Sequence, residues 1–176
     1  QAAGQRGARV DPAMRADYRS KGRSPDTVGG DQIEGRQAVR ELLLASRRRV
    51  SEILVSVDVD AADILDEIIE LADEAHVPIK QIGRGSLEAK ARTDAPQGII
   101  ARAAPIRPVL LEELAEPVDG TAPFLLAVDG VTDPHDLGAL LRSAECAGVT
   151  GVILPRHRAV HVTATVAKAA AGAVEH

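Results

Sequence analysis

Apolar and polar residues alternate along the chain in a pattern that switches between the strand and the helix period from Asp31 onward. Short apolar runs predict buried strands, and apolar residues recurring every three to four positions predict helices that bury one face. Strands that alternate with helices favour the α/β class, with βαβ units and a parallel sheet. The predicted strands are QIE, 53–57, VPIKQI, 98–103, 124–131 and 149–155, and the predicted helices are RQAVRELLLAS, 61–75, SLEAKAR, 137–148 and 164–176.

Residues 115–123 divide this pattern into two domains. The stretch has two prolines, one glycine and no periodicity, so it is interpreted as a linker between residues 31–114 and residues 124–176. The second domain has only two predicted strands, and a two-stranded sheet leaves strand edges and one face uncovered. Its last helix is expected to run to His176 without a Gly or Asn cap. We therefore expect the second domain to be the N-terminal part of a larger, C-terminally truncated domain.

Charge is unevenly distributed. Residues 1–30 contain six Lys or Arg against three Asp, a net charge of +3. Because the whole chain has a net charge of −5, residues 31–176 carry −8. This predicts a disordered basic tail over residues 1–30. The tail is either a solvated segment or an arm that contacts nucleic acid by charge alone, and the sequence leaves both open.

Composition excludes several classes of protein. With one Phe, one Tyr and no Trp, the chain lacks the rings on which RRM and OB domains stack bases. No G-x-G-x-x-G or Walker sequence follows a strand, which disfavours an unrelated nucleotide-binding enzyme. No apolar run approaches the roughly 18 residues of a membrane span, and no signal-peptide core is present, so we expect a cytoplasmic protein. No metal site is predicted, because His157 and His161 stand four apart without a third ligand.

One loop is a candidate site. Residues 133–144 read DPHDLGALLRSA and follow the apolar strand FLLAVDGV, at the end of a sheet where α/β proteins gather ligands. Gly138 permits close approach of backbone, and Asp136 is placed to cap the helix or to lie in its first turn. From these residues alone, a structural turn and a functional site are equally open. Cys146 is expected on the apolar face of the helix as an inert core thiol.

The family resemblance is carried by three stretches. Residues 127–175 combine Asp-Pro, a polar residue, Leu-Gly-Ala, an Arg before Ser-Ala, and an Ala-Gly-Val that leads into a strand ending Leu-Pro. This combination resembles motif 1, with the strand and helix that follow it, of the SpoU or TrmH-like RNA ribose 2′-O-methyltransferases of the SPOUT superfamily. GRQAVRELL and APQGIIARA resemble the start and end of the ribosomal-protein-like RNA-binding domain of the branch that methylates a guanosine of 23S rRNA.

The resemblance implies methyl transfer from S-adenosylmethionine to a ribose 2′-hydroxyl of 23S rRNA. It further implies a knotted catalytic domain that works as a homodimer and binds its cofactor in C-terminal loops. The Gly-rich Glu-Gly segment and the Ser-Leu-Asn-Val-Ser segment of those loops are absent from this sequence. We therefore expect the cofactor-binding residues beyond His176, and we expect the 176-residue chain by itself to be inactive.

Two residues carry the implied chemistry. Arg142 matches the motif 1 arginine, and its permanent charge suits it to orient the hydroxyl or a phosphate and to stabilise a developing alkoxide rather than to act as a base. Asp136 stands where the family usually has Asn, and a carboxylate accepts hydrogen bonds but cannot donate them. Either Asp136 pairs with Arg142 and preserves the loop, or it weakens RNA binding. We predict reduced activity.

Contacts with RNA are expected in the first domain, where Arg36, Arg92 and Arg102 could meet phosphates, although they could also be ordinary solvated charges. Gln97 and Gly98 match a family pattern whose preceding His is replaced here by Pro96. The alternative function is an rRNA-binding module without catalytic activity, because of truncation or because of Asp136.

Overall fold

A computed structural model describes residues 27–117, 120–155 and 160–176 of the chain. Strands and helices alternate through these residues, as the sequence pattern predicts. The elements are β1 (Gln32–Glu34), α1 (Arg36–Ala45), β2 (Val50–Ser56), α2 (Asp63–Glu74), β3 (Ile79–Ile82), α3 (Arg84–Glu88), β4 (Ile99–Ala103), α4 (Leu111–Leu114), β5 (Leu125–Ala127), α5 (Pro134–Cys146), β6 (Gly151–Ile153), α6 (Ala164–Ala169) and a 3-10 turn (Ala173–Glu175).

The N-terminal unit, residues 31–114, contains a four-stranded mixed sheet in the order β1-β4-β2-β3. Strand β4 is antiparallel to both β1 and β2, with Gln32 opposite Arg102 on one side and Glu52 opposite Arg102 on the other. Strands β2 and β3 are parallel and are connected through α2. The carboxyl ends of β1, β2 and β3 therefore lie at the same edge of the sheet, where β4 begins.

Alternation along the strands gives this sheet two different faces. One face packs against α1 and α2 around Ile33, Ile53 and Ile99, all of which are fully buried. The opposite face holds a smaller cluster of Leu54, Leu87 and Ile100 beneath α3. Polar residues of the same strands, among them Gln32 and Glu34, also lie on this second face.

The C-terminal unit, residues 124–176, has the parallel pair β5 and β6 that the sequence predicts. Its core forms around Val128, Leu137, Val162 and Val166. The absence of a side chain at Gly138 lets helices α5 and α6 cross closely, since a Cβ at this position would lie 2.4 Å from Cβ of Ala169.

The last helix is shorter than predicted. The expectation that it runs uncapped to His176 is wrong: α6 ends at Ala169, and Gly172 follows in a left-handed conformation with φ of 94°. The turn directs the end of the chain onto α1, where a Cβ on Gly172 would come within 2.3 Å of Cβ of Glu41. Only glycine allows this approach. The contact between Gly172 and Glu41, which are far apart in the sequence, therefore accompanies the end of the helix.

Of the tail predicted over residues 1–30, the structure describes residues 27–30. Residues 1–26 lie outside the described part of the chain, but residues 27–30 form a strip between the two units. On one side the strip bonds to Ile106, through Val28 N–H (2.9 Å) and Gly29 O (2.8 Å). On the other side it bonds to Val162, through Gly30 N–H (2.7 Å) and Val28 O (3.0 Å). Across the described ranges, no helix has the length and apolar character needed to cross a bilayer.

Candidate functional site

The loop after β5 is held in place by the start of α5. Asp133 is the N-cap, and its carboxylate accepts a hydrogen bond of 2.7 Å from the His135 N–H. Pro134 occupies the first turn, where a missing N–H costs nothing. The helix therefore begins three residues earlier than predicted, and Asp136 lies in its first turn, where a negative charge favours the helix dipole.

Asp136 and Arg142 are both exposed on α5. Six residues of helix separate them by about 240° around the axis and about 9 Å along it, so they point to different sides. No hydrogen bond or ion pair joins the two side chains, and Arg142 makes neither with any other described residue. The hypothesis that Asp136 pairs with Arg142 is therefore wrong, and the guanidinium of Arg142 faces solvent.

Cys146 is also exposed, contrary to the prediction of a core thiol. The buried positions of α5 are Leu137, Gly138 and Ala144. Cys146 follows Leu137 by nine residues, which places it about 180° away on the opposite side of the helix. Its thiol lies 3.6 Å from a carboxylate oxygen of Glu145. His161 is exposed and His157 lies outside the described residues.

Arg36 is joined to the Gln97–Gly98 loop at the edge where the strands of the N-terminal unit end. Its Nε donates to the carbonyl of Gln97 at 3.3 Å and its Nη2 to the carbonyl of Asp60 at 3.4 Å, while its backbone N–H donates to Oε1 of Gln97 at 3.0 Å. Arg36, Gln97 and Gly98 line a cleft of about 630 Å³. The structure thus brings together the two features that sequence analysis singled out separately.

Arg92 and Arg102 are engaged with carboxylates. Nη1 of Arg92 lies 2.9 and 3.0 Å from the two oxygens of Asp31. This hydrogen bond lowers the pKa of the Asp31 carboxyl and raises the pKa of Arg92. Nε of Arg102 lies 3.5 Å from Glu52, whose pKa is lowered chiefly by a hydrogen bond from Lys80. Phosphate would have to compete with these carboxylates for both arginines.

A buried carboxylate that was not predicted from the sequence organises the loop that follows α3. Glu34 is fully buried and its two oxygens accept from the N–H groups of Arg92 (2.6 Å) and Thr93 (3.1 Å), from the Thr93 hydroxyl (2.5 Å) and from Nε2 of Gln32 (2.7 Å). Four donors satisfy the charge that burial would otherwise penalise. The polar residues on either side of Ile33 in the strand QIE were the available signal.

The junction between the two units contains a second buried charge that was not predicted. Arg48 donates from Nε (2.9 Å) and Nη2 (2.5 Å) to the two oxygens of Glu175, with 11% of the Arg48 side chain and 2% of the Glu175 side chain exposed. Nη1 of Arg48 also donates to the carbonyls of Gly30 (2.5 Å) and Ala104 (2.8 Å). One side chain therefore joins the strip, the end of the N-terminal sheet and the C-terminal unit.

Comparison with known protein families divides the chain in two. Residues 32–109 match the family described as RNA 2′-O ribose methyltransferase substrate binding, and residues 123–176 match the SpoU rRNA methylase family. The loop of Asp133 and the helix of Arg142 fall in the second match, and the cleft of Arg36 falls in the first.

Individual relatives extend across both matched segments. The chain is 40% identical over 149 residues, 84% of its length, to the 23S rRNA (guanosine-2′-O-)-methyltransferase RlmB of Photobacterium profundum, and 38% identical over 146 residues, 82% of its length, to the Escherichia coli protein of the same name. It spans about 60% of the length of each relative.

Among solved structures, the SpoU methyltransferase AviRb from Streptomyces viridochromogenes, in complex with AdoMet, superposes with a TM-score of 0.61. Identity is 17%, and the superposition covers 94% of this chain and 56% of that one. At this identity the likeness concerns the fold.

Proposed function

Because the chain belongs to the SpoU family of RNA 2′-O-ribose methyltransferases, we propose that the complete protein methylates the ribose 2′-hydroxyl of a guanosine in 23S rRNA. The observation that carries the proposal is the 40% identity to a 23S rRNA guanosine methyltransferase, which runs through both units. A relative that shared only the N-terminal unit would have favoured an RNA-binding module. The match of residues 123–176 to a methylase family makes that alternative less favourable.

In this proposal Arg142 acts on the reacting hydroxyl. Its guanidinium is exposed, has no carboxylate partner within the described residues, and stands on a helix whose start is fixed by the Asp133 cap. An arginine stays protonated at physiological pH, so it would hold the 2′-oxygen by hydrogen bonds and stabilise its negative charge as the proton leaves. Asp136 lies in the first turn of the same helix, where its carboxylate would face incoming RNA and repel the phosphates.

S-adenosylmethionine would supply the methyl group. Neither cleft described for this chain, of about 630 and 290 Å³, includes a residue of the C-terminal unit. We therefore assign no described residue to the cofactor. The expectation that the cofactor-binding residues lie beyond His176 stays a prediction.

The N-terminal unit would dock on folded rRNA, which implies a cytoplasmic location. Arg36 remains the strongest of the three predicted contacts, because among the described residues its guanidinium is held by backbone carbonyls, at 3.3 and 3.4 Å, and by no carboxylate. We also propose the homodimer that the family resemblance implies for the complete protein. Leu140 and Phe124, 39% and 55% exposed on the C-terminal unit, are apolar surface that a second copy could cover. Light scattering of the complete protein should give twice the monomer mass.

The function is tested with the protein expressed from its complete gene, labelled S-adenosylmethionine and unmodified 23S rRNA. We expect 2′-O-methylguanosine in the digested product. Arg142→Ala should lower kcat by about 100- to 1000-fold, as removal of one oxyanion donor does in other enzymes. Arg142→Lys should recover part of the rate, because it restores charge but not the paired donors. Transfer to another base, or an Arg142→Ala variant with unchanged kcat, would contradict the proposal.

A further inference from the structure

The loop that follows α3, residues 89–98, receives a cation from each of the two units. Arg36, at the start of α1 in the N-terminal unit, donates from Nε to the carbonyl of Gln97 at 3.3 Å. Lys168, in α6 of the C-terminal unit, donates from Nζ to the carbonyl of Ala95. Carbonyls two residues apart lie at most about 7 Å from each other. The two positive charges therefore lie close together, at the junction between the units.

This loop is fixed in the conformation that presents these carbonyls. Towards α3, the buried carboxylate of Glu34 accepts hydrogen bonds from the N–H groups of Arg92 at 2.6 Å and Thr93 at 3.1 Å. Towards β4, Gln97 and Gly98 both have left-handed backbone conformations, with φ of 56° and 75°. A ligand that binds beside the loop would therefore not have to order it first, which lowers the entropic cost of binding.

Gly35 allows the two units to meet at this loop. Its φ is 94°, and a Cβ there would lie 3.1 Å from Oε1 of Gln97 and 3.5 Å from Cγ of Lys168. The stem of Lys168 thus lies beside the start of α1, whereas the next residue, Ala169, meets α5 at Gly138. Helix α6 therefore connects the loop after α3 with the helix that carries Arg142.

Neither cation is paired with a carboxylate in the part of the chain that the structure describes. The guanidinium of Arg36 bonds to the carbonyls of Gln97 and Asp60, and the ammonium of Lys168 bonds to the carbonyl of Ala95. Hydrogen bonds between an ionised donor and an ionised acceptor are stronger than those to a neutral carbonyl. A phosphate can therefore bind these two cations without first breaking an ion pair.

Arg84, which lines the same cleft as Arg36, shows the opposite arrangement. Its Nε donates to Glu88 at 2.9 Å, and this hydrogen bond raises the pKa of Arg84. The charges of Asp58 and Asp60 raise the same pKa further. The acidic residues of the cleft are thus partners of Arg84, and a phosphate at Arg84 would have to displace them.

We propose that Arg36 and Lys168 form one phosphate-binding site, which spans the two units and holds the backbone of the RNA substrate. The proposal rests on the proposed function, since it takes the same RNA as ligand. The fork of the guanidinium and the ammonium of Lys168 would contact neighbouring phosphates of one strand. Because each unit contributes one cation, the RNA would lie across the junction and continue along α6 towards α5.

The test measures the affinity of the 176-residue chain for a fluorescein-labelled RNA hairpin by anisotropy, from about 50 to about 200 mM KCl. Each phosphate contact adds about 0.7 to 0.9 to the slope of log K against log salt, so Arg36→Gln and Lys168→Gln should each lower the slope by this amount. The loss of affinity relative to the parent should then be about three-fold greater at the low-salt end of the range than at the high-salt end.

The double variant tests whether the two cations form one site. Once Arg36→Gln has released the strand, Lys168→Gln should cost less affinity than it costs in the parent, because groups that share a ligand are coupled. Independent losses from the two substitutions would overturn the claim that one site spans the units.

Lys168→Gln also separates the charge of Lys168 from its contact with the other unit. The glutamine amide can still donate to the carbonyl of Ala95, but it carries no charge. An unchanged slope in this variant overturns the proposal. A loss of affinity that is equal at every salt concentration also overturns it, because Lys168 would then act by holding the units together. The urea midpoint of each variant checks that the fold is retained.

Two cations that are already paired provide the matched controls. Arg84→Gln removes a guanidinium from the same cleft, and Lys80→Gln removes an ammonium from the N-terminal unit. Their partners are Glu88 at 2.9 Å and Glu52 at 2.8 Å. Both controls should leave the slope unchanged. A fall equal to that of the Arg36 and Lys168 variants would show a response to net charge alone and would overturn the proposal.

The phosphate site and the proposed reaction fail separately. Methyl transfer by the complete protein, with an unchanged salt slope in Lys168→Gln, would overturn the phosphate site alone. A reduced slope without methyl transfer would support the site and count against the reaction. In the complete enzyme, Lys168→Gln should raise KM for rRNA several-fold and leave kcat unchanged, because Lys168 holds the backbone of the RNA and not the reacting ribose.

Discussion

At the scale of single residues, Asp136 is the departure from the family pattern that is most accessible to experiment. It is exposed in the first turn of α5, unpaired with Arg142, so its negative charge meets any RNA that approaches the loop. Asp136→Asn removes that charge and adds two donors. We expect a several-fold increase in kcat/KM of the complete protein for rRNA, measured by methyl incorporation.

The control for this prediction is Asp133→Asn. Asp133 lies on the same loop but accepts a hydrogen bond from the N–H of His135 as the cap of α5, a role that Asn performs about as well. It removes a carboxylate that the His135 N–H already occupies, so it should raise kcat/KM less than Asp136→Asn does. If Asp136→Asn lowers the rate, the carboxylate has a positive role, and if the rate stays constant, its charge does not affect the RNA. Either result contradicts the repulsion argument.

Some features of single residues could have been predicted from local sequence, and others could not. The exposure of Cys146 follows from helical spacing once Leu137 and Ala144 are taken as buried, so a stricter count of the period would have found it. The pairing of Arg92 with Asp31 joins residues 61 positions apart. Nothing local in the sequence indicates such a partner, because the strand order β1-β4-β2-β3 decides it.

At the scale of elements, the crossing of α5 and α6 depends on one glycine. A Cβ on Gly138 would lie 2.4 Å from Cβ of Ala169, 2.9 Å from the carbonyl oxygen of Val166 and 3.0 Å from the N–H nitrogen of Ala170. Alanine is the better helix former by about 1 kcal/mol, yet Gly138→Ala should lower the free energy of unfolding by about 1 to 3 kcal/mol, because the helices must separate. Urea denaturation measures this.

Gly85→Ala provides the opposite control. Gly85 lies within α3, and a Cβ there would have no neighbour within 4 Å, so helix propensity alone should act and stability should be equal or higher. Adding Ala169→Gly to Gly138→Ala should recover part of the lost stability, since it removes the nearest atom. A Gly138→Ala protein as stable as the parent would show that the crossing is looser than the structure has it.

The strand and helix pattern of the sequence predicted the α/β class and the parallel β5–β6 pair, because hydrophobic periodicity is a local property. Element ends were predicted less well. Helix α5 begins at Pro134 because Asp133 caps it, a signal present in the sequence but assigned to Asp136. The end of α6 was missed although Gly172 is a local stop signal, and the contact with Glu41 on the other unit, to which Gly172 turns the chain, has no local signal.

At the scale of the whole molecule, the two units are joined by backbone pairing and by one buried ion pair. The strip of residues 27–30 bonds to Ile106 on one side and to Val162 on the other. Lys168 of α6 donates to the carbonyl of Ala95, next to the loop of Gln97. These contacts hold the cleft of Arg36 and the helix of Arg142 in a fixed relation, as an RNA contact across both units would require.

The Arg48–Glu175 pair should make the largest single contribution to this junction. Removing one partner of a buried pair leaves an uncompensated charge and costs about 3 to 5 kcal/mol, so Glu175→Leu should lower the free energy of unfolding by that amount in urea denaturation. Arg48→Met should cost at least as much, because the carbonyls of Gly30 and Ala104 also lose their donor.

The coupling between the two residues is measured with the double variant, which should lose less stability than the sum of the two single variants. The control is Lys80→Met/Glu52→Leu, an exposed pair, whose coupling should stay below about 1 kcal/mol. Additive losses at Arg48 and Glu175 would mean that the pair does not join the units, and that the other contacts, among them the backbone strip and the Lys168–Ala95 hydrogen bond, set their arrangement.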